Sequence, residues 1–119
     1  KDDLIYNIVK KYFYWVDELI WKKIGAENSY IIKTVGIQAL FDLLKKILQS
    51  NPDVNNIDFK KYVENFSKVD FSDNYFQASG VGKSRIKKIL FIANNFSSTS
   101  DLKDIDATNV SRILASAGD

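Results

Sequence analysis

The sequence has no cysteine, no histidine and no methionine, and its only proline is Pro52. No disulfide can form. With neither thiolate nor imidazole there is no zinc set of sulfur or ring nitrogen, no thiol nucleophile and no proton shuttle with an ordinary pKa near 7. No apolar run approaches the ~18–20 residues that cross a bilayer, and no signal peptide opens the chain. A start at Lys1 without any methionine reads as a fragment of a longer protein, whose missing part is free to hold the chemistry. What is present suits a folded domain: 119 residues, 45% apolar, 13% aromatic and 27% charged in mixed signs. That composition excludes disorder. The length is that of one domain, which buries about two thirds of its unfolded surface.

The net charge of +2 says little about partners, but its distribution says more. Asn74 to Ser100 contains no acid while Lys83, Arg85, Lys87 and Lys88 crowd its middle. This is the one local field of a single sign.

Helical periodicity organises the chain. Asp2 to Ile24 reads as one amphipathic helix with Leu4, Ile5, Ile8, Val9, Tyr12, Phe13, Val16, Leu19, Ile20 and Ile24 on one face, ended by Gly25. Its initial Asp2 and Asp3 and final Lys22 and Lys23 suit the helix dipole. Tyr14, Trp15 and Trp21 widen the apolar belt and form a candidate interaction surface, packing on the chain's own helices or on the missing part of the protein. A second helix, capped by Asn28 or Ser29, runs from about Tyr30 to Gln49 and is apolar nearly all round, the pattern of a central buried element. Its Gly36 implies close approach of another helix. Ser50 to Asp53 is a turn. A third segment spans about Ile57 to Val69, capped by Asn56 or Asp58; Asp70 to Ala78 has no clear period. A helix from Lys83 to about Asn95 turns Ile86, Ile89, Leu90 and Ala93 inward. Asn95 to Ser100 is a loop, and a short helix from about Asn109 to Ala115 is capped by Asp106 or Thr108. No alternating strand pattern occurs. The expected fold is all-α: a compact bundle of five or six helices in one domain over residues 1–119, with a long aromatic-rich helix pair in 1–50 and shorter helices in 51–119.

The motif with most chemistry in it is Ser79-Gly80-Val81-Gly82-Lys83-Ser84-Arg85 and the helix it opens. Its Gly-Lys-Ser triplet lacks the strand before it and the first glycine of a P-loop, since Gln77 stands in that place. A glycine turn does bring backbone N–H groups close to an anion, and a helix N-terminus adds its dipole. Lys83, Ser84, Lys87 and Lys88 share one arc, opposite Ile86, Ile89 and Ala93. The candidate phosphate-binding set is therefore Gly80, Val81, Gly82, Lys83, Ser84, Arg85, Lys87 and Lys88. The bland alternative is a solvated helix face after an ordinary turn. Contacts of this kind read phosphate and not sequence, and weaken steeply with salt.

The Gly80-Val81-Gly82 turn followed by this helix resembles the helix-hairpin-helix motif of DNA repair and processing proteins. Phe96, Asp101 to Ile105 and Asn109 to Leu114 are similar to the stretch that links paired motifs, so the resemblance covers about Phe76 to Gly118. Ser79 replaces a frequent proline, and Ile86 a usual small residue. Lys33 to Leu44, after an aromatic first helix, is similar to the C-terminal helical region of bacterial DGQHR-domain proteins, which include DNA-modification and defence-linked members. The Asp-Gly-Gln-His-Arg sequence itself is absent. That resemblance implies a setting near DNA and carries no activity to any residue.

Asp17 with Glu18, and Asp101, Asp104 and Asp106, read as surface or capping acids without a calcium-loop pattern. Tyr62, Phe66, Phe71, Tyr75 and Phe76 read as core. The expectation is a non-catalytic, cofactor-free and metal-free module, part of a cytoplasmic bacterial protein, that holds DNA through its backbone irrespective of sequence. The alternative is a helical interaction or oligomerisation domain that docks through Tyr14, Trp15 and Trp21 on the rest of the parent chain or a second copy.

Overall fold

A computed structural model describes residues 2–24, 29–77 and 80–118, and among these every regular element is helical. Five α-helices occur in it: α1, Asp2–Leu19; α2, Thr34–Ser50; α3, Phe59–Glu64; α4, Gly82–Ala93; and α5, Asp104–Gly118. Short 3-10 turns at Trp21–Lys23, Tyr30–Ile32, Val54–Asn56, Asn74–Phe76 and Thr99–Asp101 join them. No described helix is long and apolar enough to cross a membrane.

The centre is α2, as its near-continuous apolar pattern implies. Ala39, Leu40, Leu43, Leu44 and Ile47 are buried, and α4 packs along it through Ile86, Ile89 and Leu90. α1 lies on α3 and reaches α2 through Tyr12, whose hydroxyl donates to the Leu40 carbonyl at 2.7 Å. Burial pushes the Tyr12 hydroxyl pKa upward, so that neutral donor is what the core holds. Phe13 meets Phe41 at 5.0 Å between ring centres and stacks on Trp21 at 5.8 Å. α5 closes the bundle over α4 with Val110 and Ile113.

Several helix ends differ from the periodic pattern. α1 stops at Leu19, and the chain tightens into the Trp21–Lys23 turn, where the Trp21 indole donates to the Ile31 carbonyl at 3.4 Å. Gly25 and Asn28 lie outside the described residues. Tyr30–Ile32 is a separate 3-10 turn and α2 begins only at Thr34. Ser29 does not cap it: its hydroxyl is buried with no partner among the described residues. Asp58 does cap α3, accepting from the Lys61 amide at 3.3 Å. α4 ends at Ala93, and Asn95 takes the left-handed conformation at φ 62° that turns the chain away. α5 begins at Asp104, five residues before the periodicity predicts.

Gly36 is needed for a nearer reason than a second helix. A side-chain carbon there would lie 2.6 Å from the Ile31 backbone and closer still to the Tyr30 carbonyl oxygen. The preceding 3-10 turn folds back on α2, and only a residue without Cβ permits it. Backbone cannot yield as a flexible side chain can. Gly36→Ala gains about 1 kcal/mol in helix propensity yet introduces an overpacking penalty that outweighs it. The expected outcome is a net loss of roughly 1–2 kcal/mol, read as an earlier urea midpoint with an unchanged slope.

Candidate functional site

The glycine corner sits between two anchored stretches. Before it, the Asn74–Phe76 turn is capped by Asp73, whose carboxylate accepts from the Tyr75 amide at 2.9 Å; Tyr75 and Phe76 are buried. This single 3-10 turn stands where a helix-hairpin-helix would have its first helix. After it, α4 drives Ile86, Ile89 and Leu90 into the core. Ala78 and Ser79 lie outside the described residues.

The two glycines do different work. Gly80 has φ +80°, is exposed, and would meet nothing within 4 Å if it carried a Cβ. Its role is conformational, since that backbone region disfavours L side chains. Gly82 is buried; a Cβ there would lie 3.3 Å from the Phe76 carbonyl and 3.6 Å from Val35. Its role is to let the corner sit close against α2. Val81 between them is 36% exposed. The first backbone bond of α4 runs from the Arg85 amide to the Val81 carbonyl at 2.9 Å, and no side chain of the described residues caps the helix. The amides of its first turn have no acceptor within the helix itself.

The basic arc divides into two sets. Lys83, Ser84 and Lys87 are exposed. Lys83 lies 3.6 Å from Asp42 of α2, a half-exposed pair of small worth. Lys87 rests over the Phe91 ring at 5.2 Å, with no carboxylate of the described residues at ion-pair distance. Arg85 and Lys88 instead turn toward α5. The Arg85 guanidinium donates to the Tyr75 carbonyl at 2.7 Å, covers the Tyr75 ring at 4.5 Å and lies 3.9 Å from Asp106. Lys88 donates to the Ser84 hydroxyl at 2.8 Å and lies 3.9 Å from the other Asp106 oxygen.

Asp106 is thus no helix cap. It is 9% exposed and accepts from the Tyr75 hydroxyl at 2.6 Å. Burial, and then donation to this carboxylate, push the Tyr75 pKa upward, keeping the phenol protonated. A second tie runs from Arg112 of α5 to both oxygens of Asp73, at 2.8 and 3.0 Å. That bidentate bond lowers the Asp73 pKa. Together these ties brace the corner's approach segment against α5. Between α4 and α5 they leave a cleft of about 460 Å³, lined by Val81, Ser84, Arg85, Lys88, Lys103 and Asp106 among others. Asp42, Tyr75, Lys103 and Asp106 have no counterpart in the sequence-derived site: Asp42, Lys103 and Asp106 lie outside its acid-free window, and Tyr75, inside it, reads as core.

At the other candidate surface the aromatic trio separates. Tyr14 is 55% exposed and meets Trp15 edge to face, whereas Trp21 is taken into the packing against Phe13 and Ile31. Asp17 and Glu18 are both held by Lys22, and Asp101 forms a capping box with Ser98.

Scans against protein-family models, curated proteins and solved structures find no match to the chain. The helix-hairpin-helix and DGQHR resemblances rest on the residues quoted for them.

The Asp73–Arg112 tie has a pH signature. A carboxyl whose folded pKa is lowered contributes stability that is complete above its unfolded value and disappears as pH falls through the folded one. Unfolding by urea at about pH 6 and about pH 3 should show a smaller acid loss in Asp73→Asn than in the parent chain, with the difference confined to pH below about 4.

Proposed function

We propose that this chain is a non-catalytic module that holds duplex DNA by its phosphates, within a bacterial DNA-modification or defence-related protein. Gly80 and Val81 form the exposed part of the corner, with buried Gly82 behind them, and Lys83, Ser84 and Lys87 stand around it. The observation that carries the reading is the corner itself: an exposed Gly80 with φ +80° leads into the N-terminus of a helix that has no acid in its first turn and, among the described residues, no side-chain cap. The positive dipole end of a helix favours an anion there. Lys103 is a further exposed cation across the cleft from Ser84, which Asp101 and Asp106 also line. Arg85 and Lys88 serve from behind: engaged with Tyr75 and Asp106, they hold α4 in place and contribute less to the ligand. Backbone contacts of this kind carry no base information. The two resemblances, one to a DNA-binding hairpin and one to proteins of DNA-modification loci, agree with this setting.

Labelled duplex and salt test the reading. About three phosphate contacts give a slope of log affinity on log salt near −3, and removing one lysine lowers the slope by about 1. Lys83→Ala and Lys87→Ala should each do so without lowering the melting temperature. A duplex that is not retained even at about 50 mM salt defeats the proposal, as does an unchanged slope in the double variant.

A further inference from the structure

α2 and α4 begin side by side, with Gly82 close to Val35, and they also end together, at a cleft of about 410 Å³. Asn51 and Asn94, the residues that follow the two helices, line this cleft with Asn65, which follows α3, and with Asn56, Asp58 and Tyr62. The dipoles of α2 and α4 therefore point the same way and bring their negative ends to one opening. Neither helix has a basic residue in its last turn to offset that end.

The asparagines are oriented by what they touch. Asn51 donates to the Ile47 carbonyl at 2.7 Å and to the Tyr62 hydroxyl at 3.1 Å, Asn94 to the Leu90 carbonyl at 3.0 Å, and Asn56 to the Asp53 carboxylate at 2.7 Å. Carbonyls and carboxylates only accept, so each side chain must turn its NH2 to that partner and keep its oxygen for another donor. Asn65 follows in the same order, donating to the Asn94 oxygen at 2.8 Å. The amide donors are thus spent on the fold. Among the described residues no donor is spent on the side-chain oxygens of Asn51, Asn56 and Asn65, and Asp58 commits one of its two oxygens to the Lys61 amide.

A cleft with acceptors to spare at the negative ends of two helices calls for a cation rich in donors. A hard divalent ion gathers several carboxylates in a tight shell, and Asp58 is the one carboxylate of this lining. The free oxygens come instead from separate segments around a wide opening, which suits donors spread over a plane. A guanidinium has five N–H donors in a flat fork, accepts nothing and stacks on aromatic rings. Tyr62 offers the ring, half-buried and backed by Phe96 at 6.0 Å between centres. Of the cations nearby, Lys61 lines the cleft and Lys46 rests over Phe96 at 5.8 Å; both weaken the attraction, and Lys61 does so from within.

We infer that the cleft at the ends of α2, α3 and α4 takes a guanidinium group, from an arginine of a partner polypeptide or from a free small guanidine. Asp58 and the oxygens of Asn51, Asn56 and Asn65 receive its N–H donors, and Tyr62 carries its plane. The inference does not rest on the phosphate reading, since it lies at the other end of α4 and takes the opposite charge.

NMR titration of the nitrogen-labelled 119-residue chain supplies the test, with the asparagine NH2 signals as reporters. The probes are capped Gly-Arg-Gly, its lysine and citrulline counterparts, agmatine, calcium chloride and potassium chloride. Expected are saturable shifts of the Asn51, Asn65 and Asn94 signals with the arginine peptide or agmatine, the tighter of the two naming the source, and at least about fivefold weaker binding of the lysine and citrulline peptides. Asp58→Asn keeps an N-cap for α3 while removing the charge, and should weaken binding about fivefold; Lys61→Ala should strengthen it. Equal binding of the lysine or citrulline peptide overturns the inference, because the fork or the charge is then irrelevant. It is also overturned if calcium or potassium moves these signals and the guanidines do not, or if no probe moves them. Unchanged affinity in both Asp58→Asn and Lys61→Ala, with helical circular dichroism intact, places the guanidinium elsewhere and overturns it too.

Discussion

A single buried carboxylate decides how α4 presents itself. Asp106 sits 9% exposed under the helix, and leaving it there without partners is expensive in a low-dielectric interior. It is matched by the Tyr75 hydroxyl at 2.6 Å and by Arg85 and Lys88, each 3.9 Å away. Two of the four cations on α4 are thereby drawn toward α5, and the helix is fixed in rotation about its own axis. Lys83, Ser84 and Lys87 are left on the outer side. The same carboxylate couples the segment before the corner to the helix after it, since Tyr75 precedes Gly80 and Arg85 follows it. The exposure of Gly80 is therefore a property of a braced structure.

The fold was legible wherever a segment could be read against its own periodicity. α2 declared itself by an apolar pattern nearly all round, α1 by a stripe from Ile8 to Ile20, and Asp58 by its place before α3. The turn at Pro52 and the inward residues of α4 follow from local chemistry too. What escaped depends on contacts distant in sequence. Asp106 looks like a cap from its neighbours alone; that it belongs to Tyr75, thirty-one residues earlier, is visible only once α5 lies on α4. Lys83 likewise meets an acid from α2 that no window around the glycines contains. The acid-free stretch from Asn74 to Ser100 is real as sequence, but in space its field is partly cancelled.

Glycines and aromatics make the same point. Gly36 does mark a close approach, yet the approaching group is the backbone of the turn just before it. Composition can say that a side chain is unwelcome without saying which atoms exclude it. Trp21 and Tyr14 are equally apolar on a helical wheel drawn to Ile24. Because α1 ends at Leu19, Trp21 swings to Ile31 while Tyr14 stays in water. A difference of a few residues in a helix end thus separates core from surface.

The modest net charge of +2 constrains any anionic partner. A chain so near neutrality gains little from long-range attraction, and at physiological salt fields from distant residues are screened beyond about 8 Å. Attraction must come from cations close together with no acid between them. On α4 that condition is met by Lys87 and, against competition from Asp42, by Lys83; Lys103 does not meet it, since Asp101 and Asp106 line the same cleft. On α1, Lys10 and Lys11 line a groove with no acid in its lining, and Lys22 keeps Asp17 and Glu18 engaged one turn away, while exposed Asp3 stands one turn before Asn7. In both places the favourable local field follows from which acids the fold has already occupied, so substituting the partner of an acid, Lys22 or Arg85, alters the surface as surely as substituting an exposed lysine.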